Sequence, residues 1–114
     1  MIVNELIPIP VNKLEFSYEK RKFIPQKYGC YVLTNFNNEI LYIGLSDNLF
    51  QRVQKHLDSH EKNDLTKYGR AYWYYYMELD NEKQIYSTER GWLNLYELKH
   101  GELPPLNKNH SPII

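Results

Sequence analysis

Several side chains in this sequence have types and spacings that suit chemistry. Tyr31 closes a G-C-Y stretch at 29 to 31, and Tyr42 opens a Y-I-G stretch at 42 to 44. Arg52 and His56 lie four residues apart, and Glu89 stands four residues from both Ile85 and Leu93. A tyrosine can bury its ring and keep a hydroxyl for hydrogen bonding or proton transfer. A guanidinium presents a planar fork of donors that matches phosphate oxygens. A carboxylate between two apolar helix positions rarely sits there without a partner. Taken singly, each residue also has an ordinary reading: the tyrosines as a cross-strand packing pair, Arg52 and His56 as solvated helix residues, and Asn107 as a turn residue after two prolines.

These residues need elements to bring them together. Residues 29 to 34 and 39 to 43 read as two strands, rich in Tyr, Val, Leu and Ile, around a polar N-F-N-N turn. A four-residue loop would face Thr34 with Glu39 and Tyr31 with Tyr42, placing the two phenols on one face with Cβ atoms roughly 5 Å apart. A one-residue slip would separate them onto opposite faces. The stretch "DNLFQRVQKHLDSHE" reads as a helix capped by Asn48 with Gln51, or by Ser46. Leu49, Val53 and Leu57 form its apolar stripe beside Phe50, and Arg52 and His56 run along the margin of that stripe. "AYWYYYMEL" reads as a third strand, and a second helix spans about Glu82 to His100, ending at Gly101. Its stripe of Ile85, Trp92, Leu93 and Tyr96 includes Glu89. The third strand shows Tyr72, Tyr74 and Tyr76 on one face. We read them as core packing in preference to a platform for unpaired bases.

The whole predicts a single α+β domain, with a small, mostly antiparallel three-stranded sheet flanked by helices. Residues 1–27, broken by prolines at 8, 10 and 25, read as an extension with a short strand near Leu14 to Phe16; residues 28–114 read as the domain. Lys and Arg together number 14, as do Asp and Glu, so net charge supplies no broad attraction for nucleic acid. The single cysteine, Cys30, excludes a disulfide within this sequence or a multi-cysteine zinc site. His60, His100 and His110 have no metal-site spacing. No signal peptide or membrane-length apolar run is read, so a cytoplasmic location is expected.

The order of these pieces resembles the GIY-YIG nuclease family. G-C-Y followed by Y-I-G resembles its paired signature, with cysteine in place of isoleucine. "YIGLSDNLFQRVQKHL" is similar to the stretch that leads into a helix carrying an arginine, here Arg52, and His56 matches a histidine of many members. "STERGWLNLY" resembles the helix carrying a metal-binding glutamate, here Glu89, and "LPPLN" resembles the closing segment that ends in Asn107. Leu45 stands where some members carry a lysine, which leaves Arg52, with His56, to supply positive charge.

The resemblance implies a divalent-metal-dependent endonuclease that hydrolyses phosphodiester bonds in single-stranded, duplex or branched DNA. It implies Tyr31, Tyr42, Arg52, His56, Glu89 and Asn107 as catalytic residues. Glu89 would hold Mg²⁺ or Mn²⁺, hard cations for which one carboxylate plus waters can suffice. Tyr31 is expected as the base, Tyr42 as a positioning donor, and Asn107 as a residue that bonds the backbone near the site. Gly29, Gly44 and Ser46 would line the approach of substrate. Balanced charge points to help from a homodimer or a protein partner. The competing class is a catalytically inactive module that binds nucleic acid or protein, although such a module would not need Tyr31, Tyr42, Arg52, Glu89 and Asn107 together.

Overall fold

The structure is a computed structural model that describes residues 1–107; His110 and the rest of the expected 28–114 domain after Asn107 lie outside the described residues. Four strands, β1 (Asn12–Glu15), β2 (Gly29–Thr34), β3 (Ile40–Ser46) and β4 (Trp73–Glu78), form one antiparallel sheet in the order β1-β4-β2-β3. The architecture is α+β, as expected, but the sheet has four strands where three were read. The added strand is β1, which overlaps the short strand read near Leu14 to Phe16 in the extension and joins the sheet by pairing Asn12 with Tyr76 and Glu15 with Trp73. It alternates half-buried and exposed residues along an edge, so its sequence carries little apolar signal.

The two faces of the sheet hold two cores. Cys30, Val32, Ile43, Leu45 and Tyr75 turn to one face and pack with Ile85, Trp92, Leu93 and Tyr96 of α2 (Glu82–His100), joined by Val3 and Leu6. Tyr31, Leu33, Tyr74 and Tyr76 turn to the other and pack with Leu49, Val53 and Leu57 of α1 (Leu49–Leu57), joined by Phe16 and Ile24. Alternate residues of β2 therefore serve opposite cores, and all six are buried. The tyrosine stripe divides accordingly: Tyr74 and Tyr76 pack in the core, whereas Tyr72 is exposed and meets Phe36 edge-on.

Both helices start at asparagine caps. The Gln51 N–H donates to Asn48 Oδ1 at 3.1 Å, and the Gln84 N–H donates to Asn81 Oδ1 at 3.0 Å. α2 stops where Gly101 turns left-handed at φ 74°. The N-terminus of α1 is tied to the chain before β2, because the Leu49 N–H donates to Lys27 O at 3.0 Å and the Phe50 N–H to Pro25 O at 3.2 Å. These bonds fix α1 against the hairpin and hence set the height at which its side chains reach β2 and β3.

The hairpin register differs from the simplest reading. Tyr31 pairs with Gly44 and Leu33 with Tyr42, and an irregularity follows between Leu33 and Thr34, which pairs with Ile40. The turn is built by Asn35, whose Oδ1 accepts from Asn37 N–H at 3.0 Å and Glu39 N–H at 2.9 Å, with Asn38 left-handed at φ 68°. Relative to Tyr31 opposite Tyr42, the pairing has moved by two residues. Side chains alternate with a period of two, so both phenols stay on the same face.

Candidate active site

Tyr31 rises from the centre of β2 and crosses its neighbour β3 at Gly44. A Cβ at residue 44 would lie 2.5 Å from Tyr31 Cζ and 2.6 Å from its hydroxyl oxygen, so only glycine leaves room for the ring. At Gly29 a Cβ would lie 2.5 Å from Met77 O and 2.6 Å from Leu49 Cδ1, which lets β4 and α1 close on the start of β2. The space over both glycines is taken by the protein's own atoms. Ser46 is buried, and its Oγ accepts from the Asn48 N–H at 2.9 Å, at the entry to α1.

Having crossed Gly44, the Tyr31 hydroxyl meets His56 Nε2 at 2.5 Å. Ring centres are 5.4 Å apart for Tyr31 and His56, 5.2 Å for Tyr42 and His56, and 5.9 Å for the two tyrosines. His56 is thus buried against the phenols, deeper than the margin position read from its helix spacing. Arg52, one turn earlier, is half-buried on the same side.

The electrostatics follow from burial and the nearby cations. Burial, then the charges of Lys62 and Arg52, push the His56 imidazole down to about 3, so it is neutral at ordinary pH. With the ring proton on Nδ1, Nε2 accepts from the Tyr31 O–H. Tyr31 is wholly buried, and burial raises its phenol well above the usual range, helped by Tyr42 and Tyr74 and opposed by Arg52. Burial also raises Tyr42, while the Tyr31 hydroxyl and Arg52 pull it down and Glu89 pushes it up. In the resting protein the cations therefore do not outweigh burial at either phenol. Tyr42 differs in being half-buried, so it is the member of the pair that solvent reaches.

Glu89 lies on the buried face of α2 with 1% of its surface exposed. It pushes up the Cys30 thiol as well as the Tyr42 phenol, which places its charge near the β2–β3 pair. A carboxylate at this depth suits a hard divalent cation, which takes oxygen donors and keeps several waters. Among the described residues no cluster of three or more His, Cys, Asp and Glu side chains could hold a metal ion. Asn107 clamps the backbone between Tyr42 and Gly44: its Oδ1 accepts from the Ile43 N–H, and its Nδ2 donates to Ile43 O, both at 2.9 Å.

One charged residue at the site was missed in the sequence. Lys62, in a 3-10 turn at Glu61–Asn63, sets its ammonium 4.6 Å from the centre of the Tyr42 ring. No periodicity or motif marks it. His60 is exposed, and His100 lies at the end of α2 beside the N-terminal amine, at 2.9 Å.

An antiparallel sheet carrying paired tyrosines on adjacent strands, with an Arg–His helix on one face and a glutamate helix on the other, makes this an α+β domain of defined layout. Residues 27–101 match the family described as the GIY-YIG catalytic domain, and the chain belongs to that family. It is 26% identical over 97 residues to UvrABC system protein C of Mycoplasmoides gallisepticum, covering 84% of this chain and 16% of that protein. It is 29% identical over 97 residues to the protein of the same name from Mycoplasma capricolum, covering 84% and 17%. The chain thus spans a small part of the length of these relatives. Among solved structures, the GIY-YIG N-terminal endonuclease domain of UvrC from Thermotoga maritima, as a point mutant bound to its catalytic divalent cation, aligns with a TM-score of 0.58 at 18% identity, over 80% of this chain and 93% of that one. A second point mutant of the same domain aligns with a TM-score of 0.55 at 19% identity, again over 80% and 93%. Among the described residues, no helix is long and apolar enough to cross a membrane.

Proposed function

We propose that this chain is a divalent-metal-dependent endonuclease that hydrolyses phosphodiester bonds in DNA. The observation that carries this reading is the Tyr31–His56 pair at 2.5 Å beneath a solvent-reached Tyr42, with Arg52 on the same side. The endonuclease activity and catalytic divalent cation named for the Thermotoga maritima domain come to this chain only as part of this proposal.

In the proposed reaction Arg52 receives the phosphate through its donor fork, and Tyr42 orients the attacking water. The water yields a proton to the Tyr42 oxygen as the Tyr42 proton moves to Tyr31 and the Tyr31 proton moves to His56 Nε2. The new bond joins the water oxygen to phosphorus; the bond to the leaving oxygen breaks, and that oxygen takes a proton from solvent. Burial leaves His56 neutral and able to accept but only weakly basic, so it holds the proton while the phosphate's charge is beside it and releases it to solvent as the product leaves, and the buried Tyr31 acts without meeting water. Mg²⁺ or Mn²⁺ held at Glu89 would stabilise the charge that develops on the phosphate. Asn107 holds Ile43, and with it the strand that carries Tyr42 and Gly44.

The test is a panel of labelled single-stranded, duplex and branched DNA, with RNA alongside, incubated with Mg²⁺, Mn²⁺ or EDTA. Wild type is expected to cut at least one DNA with metal and none in EDTA, and Glu89→Ala to lose the cutting while staying folded. A folded wild type that cuts nothing would sink the nuclease reading in favour of a binding module. Normal cutting by Glu89→Ala would remove Glu89 from the site.

A further inference from the structure

The segment that joins β1 to β2 lies almost wholly before residues 27–101, which match the family. From Tyr18 to Lys27 it holds four basic residues, Lys20, Arg21, Lys22 and Lys27, against one acid, Glu19. The chain as a whole has 14 of each sign, so its neutrality hides a local excess of positive charge.

α1 holds this segment in place along its length. The Tyr18 hydroxyl donates to Asp58 at the C-terminal end of α1, and Lys27 O and Pro25 O accept from the Leu49 and Phe50 N–H groups at its start. Between these anchors Ile24 is buried with Leu49, Val53 and Leu57. Arg21 is half-buried, and its Nη1 donates to Tyr18 O at 2.8 Å, which fixes the 3-10 turn at Arg21–Phe23. The segment therefore runs antiparallel to α1 as a fixed shelf.

The outer side of that shelf combines cations with an apolar ring. Phe23 is 58% exposed, and the ammoniums of Lys20 and Lys22 stand 6.0 and 5.3 Å from its ring centre. A solvated run of charge has no use for a phenyl held out among its lysines. A strand with unpaired bases does, because bases stack on aromatic rings while lysines follow the backbone. The exposed side of α1 continues this surface with Gln51, Gln54 and Lys55. Asp58, the acid on that side, accepts the Tyr18 O–H. Lys55 is three residues from Arg52 and so its neighbour on the helix surface. α1 is about 10 Å across, and phosphates of one strand follow at about 3.4 Å, so about three phosphates bridge the turn and Arg52. Lys27 lines a separate cleft with Asp47, Glu78 and Asp80 and is not part of the surface.

We propose that Lys20, Lys22 and Phe23, continued by Lys55 of α1, form a binding surface for single-stranded nucleic acid. The lysines contact backbone phosphates and Phe23 stacks on an unpaired base of the strand whose phosphodiester reaches Arg52. The proposal rests on the reading of Arg52 as the residue that receives that phosphodiester.

The test reads binding and does not depend on cleavage. Fluorescein-labelled single-stranded and duplex DNA are titrated in EDTA by fluorescence anisotropy, over salt from about 50 to about 200 mM. The proteins are wild type, the double variant Lys20→Met with Lys22→Met, Phe23→Ala, and Lys83→Met as an exposed lysine on the first turn of α2. Losing two phosphate contacts lowers the slope of log K against log salt by about 1.4 on a single strand, and the double variant is expected to show that drop. Phe23→Ala is expected to bind single strands at least about five-fold more weakly with the slope unchanged, and to bind duplex like wild type. Lys83→Met should match wild type throughout. A double variant with the wild-type slope overturns the proposal, as does an equal drop in Lys83→Met or a Phe23→Ala that binds single strands normally. Wild-type protein that binds phosphatidylserine vesicles through these lysines and neither DNA overturns it too. Binding of the expected kind by a protein that cuts nothing with Mg²⁺ or Mn²⁺ would refute the nuclease reading and leave the surface standing.

Discussion

Replacing Gly44 with alanine tests whether the glycine of Y-I-G exists to seat Tyr31. The added Cβ would lie 2.5 Å from Tyr31 Cζ, 2.6 Å from its hydroxyl oxygen and 2.8 Å from Tyr42 Cε1. Ordinary van der Waals contact begins near 3.4 Å, so the Tyr31 ring has to retreat by close to an ångström. It has nowhere to go: Tyr31 is wholly buried, with His56 and Tyr74 ring centres each at 5.4 Å and Tyr42 at 5.9 Å. Overpacking of this kind costs about 1–3 kcal/mol. Pulling the hydroxyl from His56 leaves a buried acceptor unsatisfied, for about 1–3 kcal/mol more. At roughly 4 °C per kcal/mol for a domain of this size, Gly44→Ala should melt at least about 8 °C below wild type. Gly91→Ala is the internal control. A Cβ there meets nothing within 4 Å, and it replaces a glycine inside α2, so it should raise stability by about 0.5–1 kcal/mol. Thermal melts by circular dichroism, paired with the cleavage panel, read both variants. A Gly44→Ala melt within about 2 °C of wild type would refute the claim that Tyr31 needs that space.

Three further outcomes follow from the same geometry. Tyr31→Phe removes the hydroxyl bonded to His56; cutting should fall by about 100-fold or more while far-ultraviolet dichroism stays native, and retained cutting would show that no proton passes through Tyr31. His56 titrates near 3 when folded and near 6.5 when unfolded, so between those values the unfolded chain holds the extra proton and wild-type stability falls as pH falls. From pH 7 to pH 5 wild type should therefore lose about 2 kcal/mol more than His56→Gln in urea unfolding, and parallel curves would place His56 in a more solvated setting than its burial indicates. Asn107→Ala frees both polar groups of Ile43; it should destabilise by about 1–3 kcal/mol and lower kcat more than it raises KM, and an unchanged melt would mean the clamp is idle in solution.

What the sequence made legible is local. The stripe of α2 placed Glu89 on a buried face because helical spacing is fixed by the backbone, and the same holds for the shared side of Arg52 and His56. The glycine stop bounded the end of α2 because a left-handed residue there satisfies helix carbonyls within a few residues. Features set by distant partners were not legible. The short strand read near Leu14 to Phe16 overlaps β1, but its place in the sheet was not legible, because it is set by pairing with Tyr76 and its neighbours, some sixty residues on. The two-residue shift of the hairpin depends on Asn35, whose Oδ1 is occupied by the turn and whose Nδ2 donates to Tyr68 O at 2.8 Å. That carbonyl belongs to the loop before β4, and a hairpin read by itself does not contain it. The phenols nevertheless stayed together, since a shift of two preserves side-chain parity. The pairing of each tyrosine motif with a glycine also has an answer that only three dimensions supply: Gly44 makes room for the tyrosine of the opposite strand, and Gly29 for β4 and α1. Lys62 reaches Tyr42 from a turn in which the side-chain amide of its neighbour Asn63 binds the carbonyls of His56, Leu57 and Ser59. Residue types thus announced the chemistry, while the contacts that aim it were written in bonds between segments that no spacing rule connects.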